Sequence, residues 1–429
     1  MAHETLTGTI PARGFSWSDV GFPARRVGDF AALNYGKGLV ESKRTSGPYP
    51  VFGTNGPCGQ HNAYLTKGPG MILGRKGQGH LGVKWCDSPF WVIDTAYYAE
   101  VDEEQSDLRW FYYITKYVGL DHLKSGEKPG LNRDIFGRQI VPFPPLAEQR
   151  AIARILGALD EKIELNKEMN RTLEATAQAI FRSWFVDFDP VAAKADGRKP
   201  FGMSGDLAAL FPDRFVESEL GPIPEGWRMG SIADLLRIET RSVQPQQNPA
   251  EVFDHLSIPA FDLGRRPVQE AGSLIKSNKY LVTPRSVLLS KLNPEISRVW
   301  LPGEESKNRL VCSTEFIVCV PRPPFHPAYL FCLFTNPEFR ATLLGLVTGT
   351  SNSHQRVRPK DFRRIMALEP TEGLVLAFRD VVSPPLTETI RARSETHTLA
   401  TLRDLLLPKL LSGEIRVAEA EERLEALRA

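Results

Sequence analysis

The chain has 429 residues, carries 53 Lys and Arg against 51 Asp and Glu, and is 42% hydrophobic, the make-up of a globular protein too long for one ordinary core. A net charge of +2 does not by itself announce a polyanionic partner. No stretch is long and apolar enough to span a membrane, and Met1 to Ile10 lacks the basic start and apolar run of a secretory signal, so the cytoplasm is the expected compartment.

After a short N-terminal segment (1–23), residues 24–145 are rich in Gly, Pro, aromatics and short β-like runs and predict a compact α+β domain. Within it, YPVFGTNGPCG (49–59) places Asn55-Gly56 between apolar residues, a hairpin-turn signal. Its glycines also suggest an adenosylmethionine loop, but such a loop must open a helix, and the next eleven residues are too punctuated for one. An amine-gripping Asn/Asp-Pro-Pro-aromatic motif is also missing: Asn293-Pro294-Glu295 and Asn336-Pro337-Glu338 do not fit it. Gly74-Arg75-Lys76-Gly77-Gln78-Gly79 is not a Walker A loop; it reads as a basic tip that can approach phosphate, or as an exposed turn. The five cysteines form no Cys-x-x-Cys pair and are expected to be free, buried thiols. The eight histidines suggest no metal cage, and nothing in the sequence argues for a catalytic residue.

Residues 146–186 change character. Ile152, Leu156, Leu159, Ile163, Asn166, Asn170, Leu173, Ala177, Ile180 and Trp184 are spaced four, three, four, three, a heptad seam. The seam predicts a helix about 50 Å long at about 1.5 Å per residue, which needs a partner helix. A connector (187–225) with Asp-Pro and Gly-Pro-Ile-Pro follows, then a second α+β region (226–370).

A shift of 226 residues then superposes the second helical region (371–415) on the first, with Leu399, Leu402, Leu406 and Leu410 continuing the seam. Pro384-Pro385 predicts that this copy is broken into two pieces, 371–382 and 386–412. Both seams turn polar in the middle, at Asn166 and Asn170 and at Ala392 and Thr396, either to fix register or because they face solvent there. The globular regions repeat too: GMILGRKGQGHLGVKW (70–85) falls on SVLLSKLNPEISRVW (286–300), VIDTAYYAEV (92–101) on VCSTEFIVCV (311–320), and KSGEKPGLNRDIF (124–136) on TGTSNSHQRVRPKDF (348–362). A tail (416–429) ends the chain. The fold class expected is α+β, two globular domains separated by two long antiparallel helices in a coiled coil, with an internal pseudo-repeat.

Charge is segregated along this plan. Residues 42–86 and 271–294 contain no acid, and 352–366 holds five cations against Asp361. Ordinary loops can be acid-poor by chance, but three such windows suggest local positive faces for a polyanion. The candidate nucleic-acid contacts are Asn55, Arg75, Lys76 and Lys84 in the first domain, and Lys291, Arg298, His354, Arg356, Arg358 and Lys360 in the second.

PPLAEQRAIARILGALDEKIELNKEMNRTLEATAQAIFRSWFVDFDPV (144–191) and TLATLRDLLLPKLLSGEIRV (398–417) resemble the conserved helices of specificity subunits of type I restriction–modification systems. YPVFGTNGPCG, GRKG and GTSNSHQRVRPKDF resemble that family's target-recognition segments. The resemblance implies a non-catalytic subunit whose two target-recognition domains each read half of a split, asymmetric double-stranded DNA target. It also implies helices that dock two modification (methyltransferase) subunits, with restriction (motor-nuclease) subunits as a further partner. This chain then carries no cofactor; S-adenosylmethionine, and ATP with Mg where a motor is present, belong to the partners. The alternatives from other classes are a stand-alone DNA-binding scaffold and a DNA methyltransferase.

Overall fold

The computed structural model describes residues 21–77, 81–125, 130–218, 221–303, 306–348 and 355–420. The described residues form two compact units, one of residues 21–163 with 398–420 and one of 164–397.

In the first unit the order of the four-stranded antiparallel sheet is Ala31–Tyr35, Ala96–Val101, Gly70–Gly74, Val83–Cys86. A three-stranded sheet sets Tyr49–Gly53 between Gly56–His61 and Trp91–Val92, the last running parallel to it. The helix Leu108–Val118 is capped by Asp107, whose carboxylate accepts from Trp110 N, and it buries Trp110, Phe111 and Tyr113. Those rings share one core with Ile152, Leu156 and Leu159 of the long helix Leu146–Phe185 and with Leu406 and Leu410 of the long helix Glu372–Ser412. Gln149, fully buried, fastens the start of the first long helix: it accepts from Asp107 N (2.9 Å) and donates to the carbonyl oxygens of Pro144 (2.9 Å) and Gln105 (3.3 Å).

The second unit repeats this plan. The order Leu236–Glu239, Phe316–Pro321, Val287–Ser290, Val299–Trp300 matches the first unit's sheet strand for strand. Its parallel pair is Val252–Leu256 with Arg309–Ser313, in a five-stranded sheet. The core here is aromatic: the Phe378 ring lies 5.8 Å from Phe181, 5.8 Å from Trp184 and 5.1 Å from Phe185. The start of one long helix thus shares a core with the end of the other in both units, so the two run antiparallel. No helix among the described residues, these two included, is long and apolar enough to cross a membrane.

The seam is buried where the spacing predicts it from Ile152 to Asn170, and again at Ala177 and Trp184. Leu173 and Ile180 are only half-buried, and Phe181 and Phe185 take their place. A straight helix at 3.6 residues per turn drifts by about 20° per heptad, so the buried stripe moves off a strict seven-residue repeat. Leu399 and Leu402 are half-buried at the edge of the first unit's core, while Leu406 and Leu410 are fully within it.

The polar middle is buried, not solvated. Asn166 Nδ2 donates to Glu395 Oε2 at 2.8 Å, and the Oδ1 atoms of Asn166 and Asn170 are buried without a partner among the described residues. Each such orphan costs about 1–3 kcal/mol, a penalty that a shifted register would enlarge by also taking the partner from the buried Asn166 Nδ2. Ion pairs between the helices add to the register: Asp160 with Arg403 (2.6 Å) in the first unit, Glu174 with Arg393 in the second.

The expected break at Pro384-Pro385 does not occur. Glu372–Ser412 is one continuous helix of 41 residues. The prolines remove the donors to the carbonyls of Asp380 and Val381, but both residues are exposed, so water can take those acceptors. Across the helix, Leu374, Phe378, Val382 and Leu386 are buried at helical spacing. Each contributes roughly 1.5–3 kcal/mol of apolar burial, together about 6–12 kcal/mol, which matches or exceeds the roughly 6 kcal/mol that two helix-interior prolines cost. The cysteines are free as expected, four of them buried and Cys58 exposed; burial pushes the Cys312 thiol up to about 12.

Pro384→Ala restores one helical donor on an exposed face and should stabilise the protein by about 2 kcal/mol, the helix penalty less the entropy that proline removes from the unfolded chain. Phe378→Ala should destabilise it by about 3–5 kcal/mol. Denaturant melts of the two variants check both, and a less stable Pro384→Ala would contradict the account of the unbroken helix.

Candidate nucleic-acid interface

In the first unit the YPVFGTNGPCG segment forms a hairpin whose two-residue tip is Thr54-Asn55, with Gly53 paired to Gly56. Gly56 has φ +123°, and a Cβ there would meet Lys84 Cε at 3.3 Å, so the tip is drawn against the exposed Lys84. A Cβ on Gly74 would lie 2.5 Å from the Thr54 carbonyl oxygen, so only glycine lets the strand Gly70–Gly74 end this close to the hairpin.

Thr54 Oγ1 bonds the carbonyl oxygens of Lys76 (2.7 Å) and Thr95 (2.8 Å), tying the hairpin to two other segments. Those segments are also tied to each other. Arg75 N and Lys76 N both donate to Thr95 O, and Leu131 N donates to Arg75 O. The result is a junction of three segments: the loop after one strand, the turn at Asp94-Thr95, and the strand Gly130–Leu131. Asn55, Arg75, Lys76 and Lys84 converge around it. Arg75 Nη1 donates to the Asp94 carbonyl at 2.7 Å, and its guanidinium lies over the Tyr35 ring at 4.7 Å and the Tyr97 ring at 5.6 Å. Arg133 lies over Tyr35 as well, at 5.6 Å. Lys76 Nζ sits 3.3 Å from Asp94 Oδ2, with both side chains about half exposed (53% and 55%), so water screens the pair and holds it weakly.

The second unit builds the same junction from different residues. Lys291 N donates to Glu315 O, Val357 N donates to Lys291 O, and Leu292 bridges Arg356 as Lys76 bridges Gly130. Arg356 holds both oxygens of Glu315, Nε to Oε2 at 3.0 Å and Nη2 to Oε1 at 3.1 Å. Arg358 precedes the short helix Pro359–Phe362, and Arg358 and Lys360 are exposed; Lys291 is half-buried. His354 lies outside the described residues.

Arg298 stands apart. It is 8% exposed and grips both oxygens of Asp262, each at 2.8 Å. The bond holds the Asp262 carboxyl below its usual range. Arg298 lies just past the acid-free stretch 271–294, and its neighbours in sequence do not show that an acid 36 residues earlier folds back onto it. Arg298 is a packing residue and not an open contact. Tyr35, Arg133, Asp94 and Glu315 were not legible as site residues, because each lies outside the acid-poor windows. The repeat carried the one usable signal, since it aligns the turns that bear Asp94 and Glu315.

A family profile described as "Type I restriction modification DNA specificity domain" matches residues 20–175. The chain is 28% identical over 342 residues to the type I restriction enzyme HindI specificity subunit of Haemophilus influenzae, covering 68% of this chain and 72% of that one. It is 25% identical over 288 residues to the MjaIX specificity subunit of Methanocaldococcus jannaschii, covering 65% and 61%. Along about two thirds of its length the chain is similar to type I specificity subunits. A solved S subunit from M. genitalium shares the fold, with a TM-score of 0.60 at 14% identity over 91% of this chain and 96% of that one. These matches favour DNA sequence specificity over a stand-alone scaffold or methyltransferase. In this chain the two junctions occupy equivalent places in the two halves of the repeat.

Arg298→Met should lower stability by about 1–3 kcal/mol, because it removes a buried side-on pair, while Arg358→Met at an exposed position should fall within about 0.5 kcal/mol of wild type. Thermal melts of the two variants side by side check this, and equal stabilities would put Arg298 back among the open cations.

Proposed function

We propose that each unit of this specificity subunit reads one half of a split DNA target. The observation that carries this is the junction itself: one backbone arrangement, built twice, with different side chains on it. The same scaffold presents Asn55, Arg75, Lys76 and Lys84 in one unit and Lys291, Arg356, Arg358 and Lys360 in the other, so the two half-sites differ in sequence. Exposed lysines supply phosphate contacts that carry affinity without sequence information. The paired long helices dock two modification subunits, and restriction subunits join that assembly. The chain itself catalyses nothing; S-adenosylmethionine, and ATP with Mg for a motor, are held by the partners, and the complex works in the cytoplasm, where the DNA is.

Neutralising Lys76 and Lys84 together (Lys76→Gln, Lys84→Gln) should weaken binding of the assembled complex to all sequences alike. Each lost phosphate contact should reduce the slope of log K against log salt by about one. Unchanged affinity at moderate salt would remove these residues from the interface.

The helices set the gap between half-sites in this reading. Asn166 and Glu395 are bonded, so the two helices must be lengthened together to keep their pairing. Four residues inserted near Asn166 and four near Thr396 add about 6 Å, close to two base pairs at about 3.4 Å each. Methylation mapping with the modification subunits present should show both half-sites unchanged and the spacer longer. An active variant with an unchanged spacer would show that the helices do not set it.

A further inference from the structure

Arg182, Arg214, Arg298 and Arg356 each hold both oxygens of a carboxylate side-on, through Nε and Nη2. Arg182 belongs to the first long helix and Arg214 to the connector, while Arg298 is buried. Only Arg356 sits at a junction. We propose that Arg356 reads a guanine base, with Glu315 as its positioning residue. The inference deepens the proposed function and rests on the second unit being a DNA reader.

The argument starts from the guanidinium. It carries five N–H donors in a rigid fork, and the side-on pair with Glu315 uses one at Nε and one at Nη2. What remains is the end-on edge, where Nη1 and Nη2 present two parallel donors. In the major groove only guanine offers two acceptors, N7 and O6, on one base. Adenine mixes an acceptor with a donor, thymine offers one acceptor, and cytosine offers a donor.

The backbone supports an exact aim. Arg356 is pinned by its pairing with Thr348, whose Oγ1 donates to Arg356 O at 3.2 Å, and by the bridge to Leu292. The side chain is 40% exposed, against 9% for Arg298, so its free edge reaches solvent. Glu315 also argues against a phosphate contact. A carboxylate beside the guanidinium cancels its charge and repels phosphate, whereas a neutral base edge tolerates it. Among the described residues of the first unit's junction no arginine is held side-on by a carboxylate, and Lys76 meets Asp94 as a point charge.

The test uses the full chain assembled with its modification subunits and selects binders from a pool of randomised duplexes. Wild type should select a motif with a guanine that Arg356→Lys makes roughly ten- to a hundredfold less preferred over other bases. Glu315→Gln keeps the size of the side chain but replaces one acceptor with donors. It should weaken the same preference, leave the rest of the motif in place and leave the salt slope unchanged. It also tests the proposal if Arg356→Lys fails to fold, which thermal melting reports. A uniform loss of affinity with a salt slope reduced by about one would make Arg356 a phosphate contact and overturn the guanine assignment, leaving the DNA-reading function intact. Wild-type complex that selects no motif at all would overturn both.

Discussion

A forty-residue helix with an apolar stripe along one side is not stable alone in water, and this constraint organises the molecule. Leu146–Phe185 needs a partner of its own length, and Glu372–Ser412 supplies it from 226 residues further along the chain. The pairing is not uniformly apolar. Aliphatic residues close it in the first unit and a cluster of aromatic rings in the second. Between Asn166 and Glu174 the buried groups are polar or charged. A purely apolar seam would tolerate sliding by a heptad; the Asn166–Glu395 bond and the pairs Asp160–Arg403 and Glu174–Arg393 are each satisfied in one register only. Stability is given up in the middle for a defined alignment.

The junctions show how one backbone supports two chemistries. In each unit the loop after a central strand, a turn and a short strand are held together by main-chain hydrogen bonds. Those bonds leave the side chains free to differ. The first unit surrounds Tyr35 with Arg75 and Arg133 and pairs Lys76 weakly with Asp94, an assembly of screened charges and stacked rings. The second places one arginine in a fixed orientation on Glu315. Side chains can therefore change at the tip without disturbing the core beneath it.

Much of the architecture was legible in the sequence because it follows from periodicity. The heptad seam gave the first helix, the 226-residue shift gave its partner, and Asn55-Gly56 gave the hairpin. The proline pair misled because local backbone preference was weighed without the buried face opposite, where Phe378 and its neighbours outweigh it. Arg298 misled for the related reason that charge windows count neighbours in sequence, while Asp262 is a neighbour only in space. Glu315 and Asp94 were invisible on the same ground. Reading an acid-poor window as a binding face misses the single acid that the fold brings in from elsewhere.

The central claim is that this chain alone decides which DNA sequence its complex modifies, through two readers joined by helices. The direct measurement is a genome-wide map of methylated bases in cells with and without the gene for this chain, the modification subunits being present in both. The account predicts that one interrupted motif, two unlike half-sites around a fixed gap, is methylated only when the chain is made. The same motif methylated in its absence, or a methylated motif with no gap, would contradict the account.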